Sequence, residues 1–435
     1  MDYSAALDYI LSFADYERAP RSSLVFDLRR IEALLARLGN PQEKARSVHI
    51  AGTKGKGSTA AMIASILTQA GYRTGLYTSP HLLSFTERIQ VGGRPATEGA
   101  FGRLVEVLKP EVEAVNKSST LGELTTFELL TALAFTYFET RKVDYQVLET
   151  GLGGRLDATN VVKPEVCVIT SISFDHMDVL GDTLTQIATE KAGIIKSGSV
   201  VVCSLQSPES MKVIERTCHE RGARLVSIGD EVNWHQKDFS SEGQSFQLTG
   251  ITGKYDLYIS LLGEHQLENA ATAVVSAEVL AELGTKISPQ SIITGLRQLE
   301  WPGRLQVLQQ EPWVVVDGAH NADSARRLAE ALERYFDFDQ LILIFGASAD
   351  KNIAGMVAEL APTSSTVIVT RSRHPRAVEP ARLASEFSKG GITPIVTENV
   401  TSAVELALDQ ATPGDLICAT GSLFIVAEVM EYMSD

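Results

Sequence analysis

The sequence predicts an α/β protein in which an N-terminal, mostly parallel sheet is flanked by helices and a smaller α/β domain follows. Two observations lead to this prediction. At 435 residues the chain exceeds one ordinary core, because domains usually hold about 100 to 200 residues. Short β-branched runs alternate with helical patterns over residues 47–230 and again beyond residue 304, which is typical of parallel sheets covered by helices.

The first domain is expected over residues 1–297. Its predicted strands are short and rich in valine and isoleucine, and they cover residues 47–51, 145–149, 166–170, 200–203 and 224–228. A helix over 59–69 keeps its apolar residues on one side and is followed by Gly71, a common helix terminator. Alternating residues over 234–262 favour a small antiparallel subsheet, and an amphipathic helix over 266–283 follows it.

A linker is expected over residues 298–303, where Pro302 and Gly303 interrupt the helical pattern. The second domain then covers residues 304–435. Its predicted strands are 313–316, 341–345, 367–370, 394–396 and 416–419, and its predicted helices are 322–335, 380–388, 401–410 and one from 423. Parallel strands joined by helices in this order predict a Rossmann-like domain.

Composition narrows the possible partners and location. The formal net charge of −15 argues against nucleic acid, whose phosphates need basic surfaces, but a local cationic cluster can still hold a small anion. No apolar run reaches the roughly 18 residues of a membrane span, and the first residues are acidic, so we expect a cytoplasmic protein without membrane contact. The four cysteines are far apart, which predicts buried free thiols rather than disulfides or a zinc site.

The segment Gly52-Thr53-Lys54-Gly55-Lys56-Gly57-Ser58 lies between a predicted strand and a predicted helix. Glycines allow backbone N–H groups to converge on phosphate oxygens, and Lys56 adds a positive charge. The segment departs from the pattern G-x-x-x-x-G-K-[ST], because Ile50 stands at the first glycine and Gly57 follows the lysine directly. It predicts a phosphate-binding, P-loop-type sheet, with a glycine-rich turn of no function as the alternative.

Three further segments place polar residues after strands of the first domain, where open α/β sheets gather ligands. One is Ser79-Pro80-His81-Leu82, which could also be a simple turn. Another runs from Glu149 through Gly153, Gly154, Arg155 and Asp157 to Asn160, and it is more polar and glycine-rich than a structural turn requires. In the third, Asp175-His176 offers a metal ligand or only a cap, while Lys191 and Lys196 alone suggest solvated helix residues.

Polar residues also follow four predicted strands of the second domain. These groups are Asp317-Gly318-Ala319-His320-Asn321, residues 346–351, residues 371–376 and Thr420-Gly421-Ser422. Because the carboxyl ends of parallel strands share one edge, this edge is predicted to be a binding surface.

Together these motifs resemble folylpolyglutamate synthase and dihydrofolate synthase, ATP-dependent members of the Mur ligase superfamily. The resemblance runs nearly end to end and also includes Glu190-Lys191-Ala192-Gly193 and Trp301-Pro302-Gly303-Arg304. It explains the unusual phosphate loop, since the family form is G-T-x-G-K-G-S. The reaction it implies begins when ATP phosphorylates the carboxylate of a pterin-containing substrate, and the amine of L-glutamate then attacks the acyl phosphate.

The resemblance also implies roles for individual residues. Lys56, Lys191 and His320 would be catalytic, with Lys191 carried as a carbamate rather than as a solvated cation. ATP would contact Gly52, Thr53, Lys54, Gly55, Lys56, Gly57, Ser58, Asn269, Arg304, Asp317 and His320. Two magnesium ions would be held through Ser79, Glu149 and His176. Substrate would contact Arg155 and Asp157 near the pterin, and Arg376 and Ser422 near glutamate. A monomer is the family expectation.

Two rival functions remain at this point. A Mur-type ligase that uses a UDP-muramoyl substrate shares the loop lysine and the Asp-x-Ala-His-Asn pattern, although Ser79-Pro80-His81-Leu82 and the run from Gly153 to Asn160 favour folate. A regulator that binds ATP without ligating anything is the alternative from another class. The motifs do not decide between addition of the first glutamate to dihydropteroate and extension of a folate by further glutamates.

Overall fold

The computed structural model describes residues 1–15, 26–120, 122–229 and 232–434. The chain separates into two compact units. The first contains Met1–His235, Phe246–Leu257 and Leu267–Leu299, and the second contains Gln236–Ser245, Tyr258–Gln266 and Glu300–Asp435. The expected linker over 298–303, between domains at 1–297 and 304–435, stays a prediction.

A mixed sheet forms the centre of the first unit and contains eight strands among the described residues, in the order β4-β3-β2-β5-β1-β6-β7-β8. The strands are β1 Arg46–Ala51, β2 Thr74–Tyr77, β3 Ile89–Val91, β4 Arg94–Pro95, β5 Tyr145–Glu149, β6 Val166–Ile169, β7 Val200–Cys203 and β8 Arg224–Ser227. The pairs from β2 to β8 are parallel, while β3 and β4 form an antiparallel edge. The mostly parallel sheet is confirmed.

Helices surround these strands, which explains why β6 and β7 are apolar along their whole length. Residues of β5, β6 and β7 are all buried, as parallel strands covered on both faces must be. The helices up to residue 300 are α1 Tyr3–Leu11, α2 Leu28–Arg37, α3 Lys56–Gln69, α4 Glu98–Ser118, α5 Thr126–Thr140, α6 Met177–Leu180, α7 Leu184–Ala192, α8 Pro208–Arg221, α9 Glu264–Glu282 and α10 Pro289–Arg297.

The sheet register brings several loops to one edge. Ile50 of β1 pairs with Glu149 of β5, and Ala51 pairs with Ile169 of β6. Tyr77 of β2 pairs with Leu148. The segments that follow Ala51, Tyr77, Glu149 and Ile169 are therefore neighbours in space, and they contain the polar motifs singled out above.

The predicted antiparallel subsheet is also confirmed. It contains β9 Asn233–Ser240, β10 Gly243–Thr249 and β11 Lys254–Ile259 in the order β11-β10-β9. Connections this short leave adjacent strands no other arrangement than hairpins.

The second unit is built on a six-stranded sheet within the described part of the chain, in the order β12-β13-β17-β14-β15-β16. Its strands are β12 Gln306–Gln310, β13 Trp313–Val316, β14 Leu341–Phe345, β15 Thr366–Val369, β16 Ile395–Val396 and β17 Leu416–Thr420. All neighbouring pairs are parallel except β12 with β13. The helices are α11 Ala322–Tyr335, α12 Ile353–Leu360, α13 Pro380–Lys389, α14 Val400–Gln410 and α15 Leu423–Ser434.

Two expectations from composition can be compared with the structure. All four cysteines are free and buried, as predicted. Among the residues described, no helix combines the length and the apolar character that crossing a bilayer demands.

Candidate functional site

The loop between β1 and α3 has the geometry of an anion site. Gly55 has φ +84° and precedes the first residue of α3, and a Cβ there would lie 2.1 Å from Asn269 Oδ1. A Cβ on Gly52 would lie 1.8 Å from Thr170 Oγ1. Neither position can accept a side chain without rearrangement, so both glycines are required for this close packing.

Hydrogen bonds to the segment after β6 fix the loop. The N–H groups of Thr53 and Lys54 both donate to the carbonyl oxygen of Ser171, over 2.8 and 3.1 Å. Thr53 Oγ1 also exchanges hydrogen bonds with the backbone of Ser173. Lys54 Nζ lies 3.5 Å from Asp175 Oδ2. These two loop amides are therefore already used by the protein itself.

The start of α3 supplies the remaining donors. The N–H of Thr59 makes the first helical bond, to Gly55 O, so the N–H groups of Lys56, Gly57 and Ser58 have no acceptor within the helix. The helix dipole adds a partial positive charge at the same place. This end of α3 can bind a phosphate-like anion.

Glu149, Ser79 and Lys56 are close together beside this helix end. The buried Glu149 carboxylate accepts from the backbone N–H of Ser79 over 3.2 Å, and its other oxygen lies 3.9 Å from Lys56 Nζ. Strand order explains the arrangement, because β5 lies between β2 and β1. The site thus combines a carboxylate, a hydroxyl-bearing residue and an ammonium group.

His176 follows β6 and has a left-handed backbone conformation, with φ +52°. Its Nδ1 lies 3.7 Å from Asp175 Oδ1, and Asp175 is the residue that contacts Lys54. The structure therefore joins His176 to the loop through Asp175.

The fit of magnesium to these residues can be judged from their chemistry. Within the described ranges, no group of three or more histidine, cysteine, aspartate or glutamate side chains is placed to hold a metal ion. Magnesium nevertheless needs only one or two protein carboxylates, since water and phosphate supply its other ligands. At this edge of the sheet, three buried hydroxyls lack a hydrogen-bond partner among the described residues, and they belong to Thr59, Thr150 and Ser173. The donor set fits the ion.

Lys191 on α7 is buried, not solvated as its sequence position alone suggests. Its Nζ donates to Gly52 O over 2.7 Å. Burial, and after it the positive charge of Lys56, lowers the pKa of this ammonium group from 10.5 to about 7. A substantial fraction of Lys191 is therefore a neutral, nucleophilic amine near neutral pH.

The loop over residues 151–160 packs tightly on the end of α7. A Cβ on Gly154 would lie 2.8 Å from the carbonyl oxygens of Glu190 and Lys191. Arg155 is largely exposed and forms an ion pair with Glu190 over 2.9 Å. Asp157 is buried and accepts from the N–H groups of Leu152 and Thr159, so it shapes the loop from inside.

The same loop forms one wall of a small cleft that is partly open to solvent. Phe26, Leu28 and Phe127 contribute apolar surface, and a buried ion pair joins Arg30 Nε to Glu128 Oε1 over 3.1 Å. Sequence reasoning missed these residues. The amphipathic pattern of residues 28–37 after a capping Asp27 was the available signal for that wall.

In the second unit, the loop after β13 is held by its own side chains. Asp317 accepts from the N–H groups of Leu305 and Ala319, both over 2.8 Å. His320 Nδ1 lies 2.8 Å from Gly318 O, and because a carbonyl can only accept, Nδ1 carries the proton. A Cβ on Gly318 would lie 2.9 Å from Arg304 Nη1, which places Arg304 against the same loop.

Arg376 and Ser422 are connected through an aromatic pair. His374 stacks on Phe424 with ring centroids 3.9 Å apart, and Phe424 N–H donates to Ser422 Oγ. The N–H of Arg376 donates to His374 Nδ1, and its guanidinium lies 3.4 Å from Asp350. Arg376 Nε is buried without a hydrogen-bond partner among the described residues. The structure thus brings these two predicted residues into one cluster.

Known proteins resemble this chain in sequence and in structure. Residues 50–277 match the Mur ligase middle domain, and residues 303–423 match the Mur ligase glutamate ligase domain. A Bacillus subtilis dihydrofolate synthase/folylpolyglutamate synthase is 38% identical, covering 92% of this chain and 94% of that protein.

Two solved structures are also similar over nearly the whole of both chains. Mycobacterium tuberculosis folylpolyglutamate synthase, solved with ADP and AMPPCP, has a TM-score of 0.92 at 34% identity and covers 100% of this chain and 99% of its own. Escherichia coli FolC in complex with DHPP and ADP has a TM-score of 0.87 at 31% identity, with coverage of 100% and 98%. The chain belongs to the folylpolyglutamate synthase and dihydrofolate synthase family of the Mur ligases.

Proposed function

We propose that this protein joins L-glutamate to the carboxylate of a folate or of dihydropteroate, using ATP and an acyl phosphate intermediate. The observation that carries the proposal is the phosphate loop with Glu149, Ser79 and Lys191 around it. Relatives named for these two activities, which cover 92% and 99% of this chain, support it.

Each step of this reaction has a physical need. A carboxylate is a poor acyl donor because oxide would have to leave, whereas a mixed anhydride releases phosphate. The N–H groups at the start of α3 and the ammonium of Lys56 hold the transferring phosphates. Magnesium, when bound, offsets the repulsion between the γ-phosphate and the attacking carboxylate.

The proposed contacts follow the residues of the sequence motifs. Two magnesium ions are assigned to Ser79, Glu149 and His176. The nucleotide is assigned to Gly52, Thr53, Lys54, Gly55, Lys56, Gly57, Ser58, Asn269, Arg304, Asp317 and His320. Because Thr53 and Lys54 donate their N–H groups to Ser171, their part in this set is to shape the loop.

Lys191 is proposed to act as a carbamate. Its neutral amine attacks carbon dioxide, a C–N bond forms, and one proton is released to solvent, which leaves an anionic carboxylate on the side chain. The lowered pKa supports this step, because only an unprotonated amine is nucleophilic. The resulting anion would attract and orient magnesium ions, whereas the ammonium group would repel them.

The pocket beside residues 152–158, which has both apolar and charged lining residues, is the proposed pterin site. Phe26 and Phe127 offer aromatic surface suited to a flat heterocycle, and Asp157 keeps the loop wall in place. Arg155 is thus proposed to lie at the rim of the pocket, and Asp157 is proposed to support its wall. In the second unit, Arg376 and Ser422 are proposed to receive glutamate, since the buried Arg376 Nε still has a donor to offer a carboxylate.

Product masses test the function directly. Purified protein is incubated with ATP, magnesium, L-glutamate and either dihydropteroate or tetrahydrofolate. A mass increase of one glutamate on dihydropteroate indicates dihydrofolate synthase activity, and a ladder on tetrahydrofolate indicates polyglutamate synthesis. Product from neither substrate contradicts the proposal.

The same reactions separate the rival functions. A ligase releases ADP only when pterin acid and glutamate are both present, whereas an ATP-binding regulator releases ADP without them. A UDP-muramoyl substrate that yields product where pterins do not would favour the other Mur-type ligase. We also propose a cytoplasmic monomer with small-molecule partners, in keeping with the acidic composition.

A further inference from the structure

His49 lies on β1 with its side chain fully buried, and the proposed reaction gives it no task. The neighbouring Val48 and Ile50 are apolar, as expected in a covered parallel strand. A buried imidazole loses its hydration and is unfavourable unless its nitrogens find partners. A histidine in this buried strand therefore needs a hydrogen-bond partner.

One chain of hydrogen bonds starts at His49 and ends in the loop that lines the proposed pterin pocket. His49 Nε2 lies 2.7 Å from Thr159 Oγ1, and Thr159 Oγ1 donates to Asp157 Oδ1 over 2.5 Å. The hydroxyl has a single hydrogen, which goes to the carboxylate. His49 must therefore carry its proton on Nε2 and donate to Thr159.

The charge state of His49 agrees with this assignment. Burial, and after it the positive charge of Lys196, lowers its pKa from 6.5 to about 3. The ring is thus neutral, with one donor and one acceptor. Its Nδ1 has no hydrogen-bond partner among the described residues, so the bond to Thr159 is the polar contact that orients the ring.

Asp157 is the centre of the pocket loop. Its Oδ2 accepts from Leu152 N–H over 2.9 Å, and its Oδ1 accepts from Thr159 N–H over 3.0 Å. Leu152, Asp157 and the residues between them include three that line the pocket. Any movement of Thr159 would therefore be passed to the pocket wall.

A second residue holds the adjacent position of the loop. Lys196 Nζ donates to the carbonyl oxygen of Asn160 over 3.0 Å. Consecutive residues, Thr159 and Asn160, are thus bound by side chains from separate parts of the first unit. His49 differs from Lys196 in that its strand continues directly into the phosphate loop at Gly52.

We propose that His49 is a positioning residue for the pterin end of the substrate. It holds Thr159, and through Thr159 the Asp157 carboxylate, in the conformation that shapes the pocket. The inference rests on the proposed function, because it takes residues 152–160 as a wall of the pterin site.

Two pairs of variants test this role. His49→Leu and Thr159→Val each break the chain at nearly constant volume, and His49→Gln and Thr159→Ser each keep a donor at the same place. The first pair should raise the KM for dihydropteroate or tetrahydrofolate about tenfold, the effect of one hydrogen bond, with the KM for ATP changed less than about twofold. The conservative pair should restore most of the pterin affinity.

The pterin KM of the double variant His49→Leu/Thr159→Val should be no higher than that of either single variant, because both substitutions remove the same connection. Hydrogen exchange of residues 152–160 should quicken in the broken variants and stay slow in His49→Gln. Val48→Ala is the control: it removes a buried side chain from the same strand and should lower the melting temperature without changing the pterin KM.

Different results separate the two levels of the proposal. If the wild type makes no product with either pterin, the proposed function itself fails. If the wild type is active and His49→Leu leaves the pterin KM and the loop exchange unchanged, only the role of His49 is wrong. An equal rise in the KM for ATP, or the same pterin effect in Val48→Ala, would show a general loss of structure and would also overturn the role.

Discussion

The ammonium group of Lys191 donates a 2.7 Å hydrogen bond to the carbonyl oxygen of Gly52, the first residue of the phosphate loop. Lys191 lies on α7 and Gly52 follows β1, so this bond joins the end of a helix to the loop that receives the anion. The donor is also the amine whose pKa burial lowers to about 7. The Nζ atom of Lys191 therefore both contacts the phosphate loop and is the proposed site of carbamate formation.

Replacement of Lys191 tests the carbamate. Lys191→Ala should lower kcat about a hundredfold or more, because an anionic group that orients the metal site is lost. Added acetate or formate should restore part of the activity by placing a carboxylate in the vacated space. Lys212→Ala, on the exposed face of α8, is the control and should behave as the wild type. Full activity of Lys191→Ala without rescue would disprove the role.

Gly55 and Gly71 form a matched pair for the phosphate loop. Both have positive φ, +84° and +91°, but a Cβ at Gly55 collides with Asn269 while Gly71 faces open space. Alanine at either position should lower stability by about 1 kcal/mol through backbone strain, and Gly55→Ala should lower it more because of the collision with Asn269. Only Gly55→Ala should also raise the KM for ATP, by tenfold or more. Similar ATP kinetics in both variants would argue against the close packing at Gly55.

Phe127 and Phe138 test the pterin pocket from a single helix, α5. Phe127 lines the pocket, whereas Phe138 is buried elsewhere along the helix. Replacement by leucine should lower the free energy of unfolding by about 1 kcal/mol in each. Phe127→Leu alone should raise the pterin KM, by about fivefold, because an aromatic face is lost. Isothermal titration with dihydropteroate provides a second measurement, and equal affinities for both variants would contradict the assignment.

Arg376 is the corresponding test for glutamate. Arg376→Ala should raise the KM for glutamate tenfold or more and leave the KM for ATP and pterin nearly unchanged, since a charge-assisted hydrogen bond to a carboxylate is removed. The exposed Arg373 supplies the control through Arg373→Ala. A glutamate KM that does not respond to loss of Arg376 would exclude it from the site.

His49 predicts a specific dependence of stability on pH. Its pKa in the folded protein is about 3, below the ordinary 6.5, so the unfolded chain binds more protons between these values. Stability should therefore fall as pH drops from about 6.5 towards 3, by up to about 1.4 kcal/mol per unit. His49→Gln should remove this component, and the exposed His219→Gln should retain it. Denaturant unfolding from pH 7 to pH 4 measures the difference between the two slopes.

Sequence patterns revealed some elements clearly and hid others for physical reasons. β6 and β7 were predictable because each is a short run of mostly β-branched residues. No individual element was predicted between residues 72 and 144. There, β2 has four residues including a glycine, α4 continues through Pro110, and α5 is buried on nearly all sides and so has no apolar period.

Some parts of the candidate site could likewise be predicted from the sequence, and others could not. The phosphate loop could be predicted because its residues are contiguous. The neighbourhood of Ser79 and Glu149 depends on β2 lying next to β5, and strand order is not encoded in local sequence. The pocket brings Phe26 together with Phe127 and Leu156, which lie more than a hundred residues later in the chain, and no local pattern connects them.

The two hydrogen bonds that Ser171 accepts from Thr53 and Lys54 affect the thermodynamics of anion binding. A glycine-rich loop that had to become ordered around its ligand would lose conformational entropy at that moment. Here the ordering occurs when the chain folds, and the bonds to Ser171 maintain it afterwards. Nucleotide association should consequently proceed with little entropic penalty from this loop. Substitutions that break the two hydrogen bonds to the carbonyl oxygen of Ser171 should weaken nucleotide binding chiefly through the entropy term.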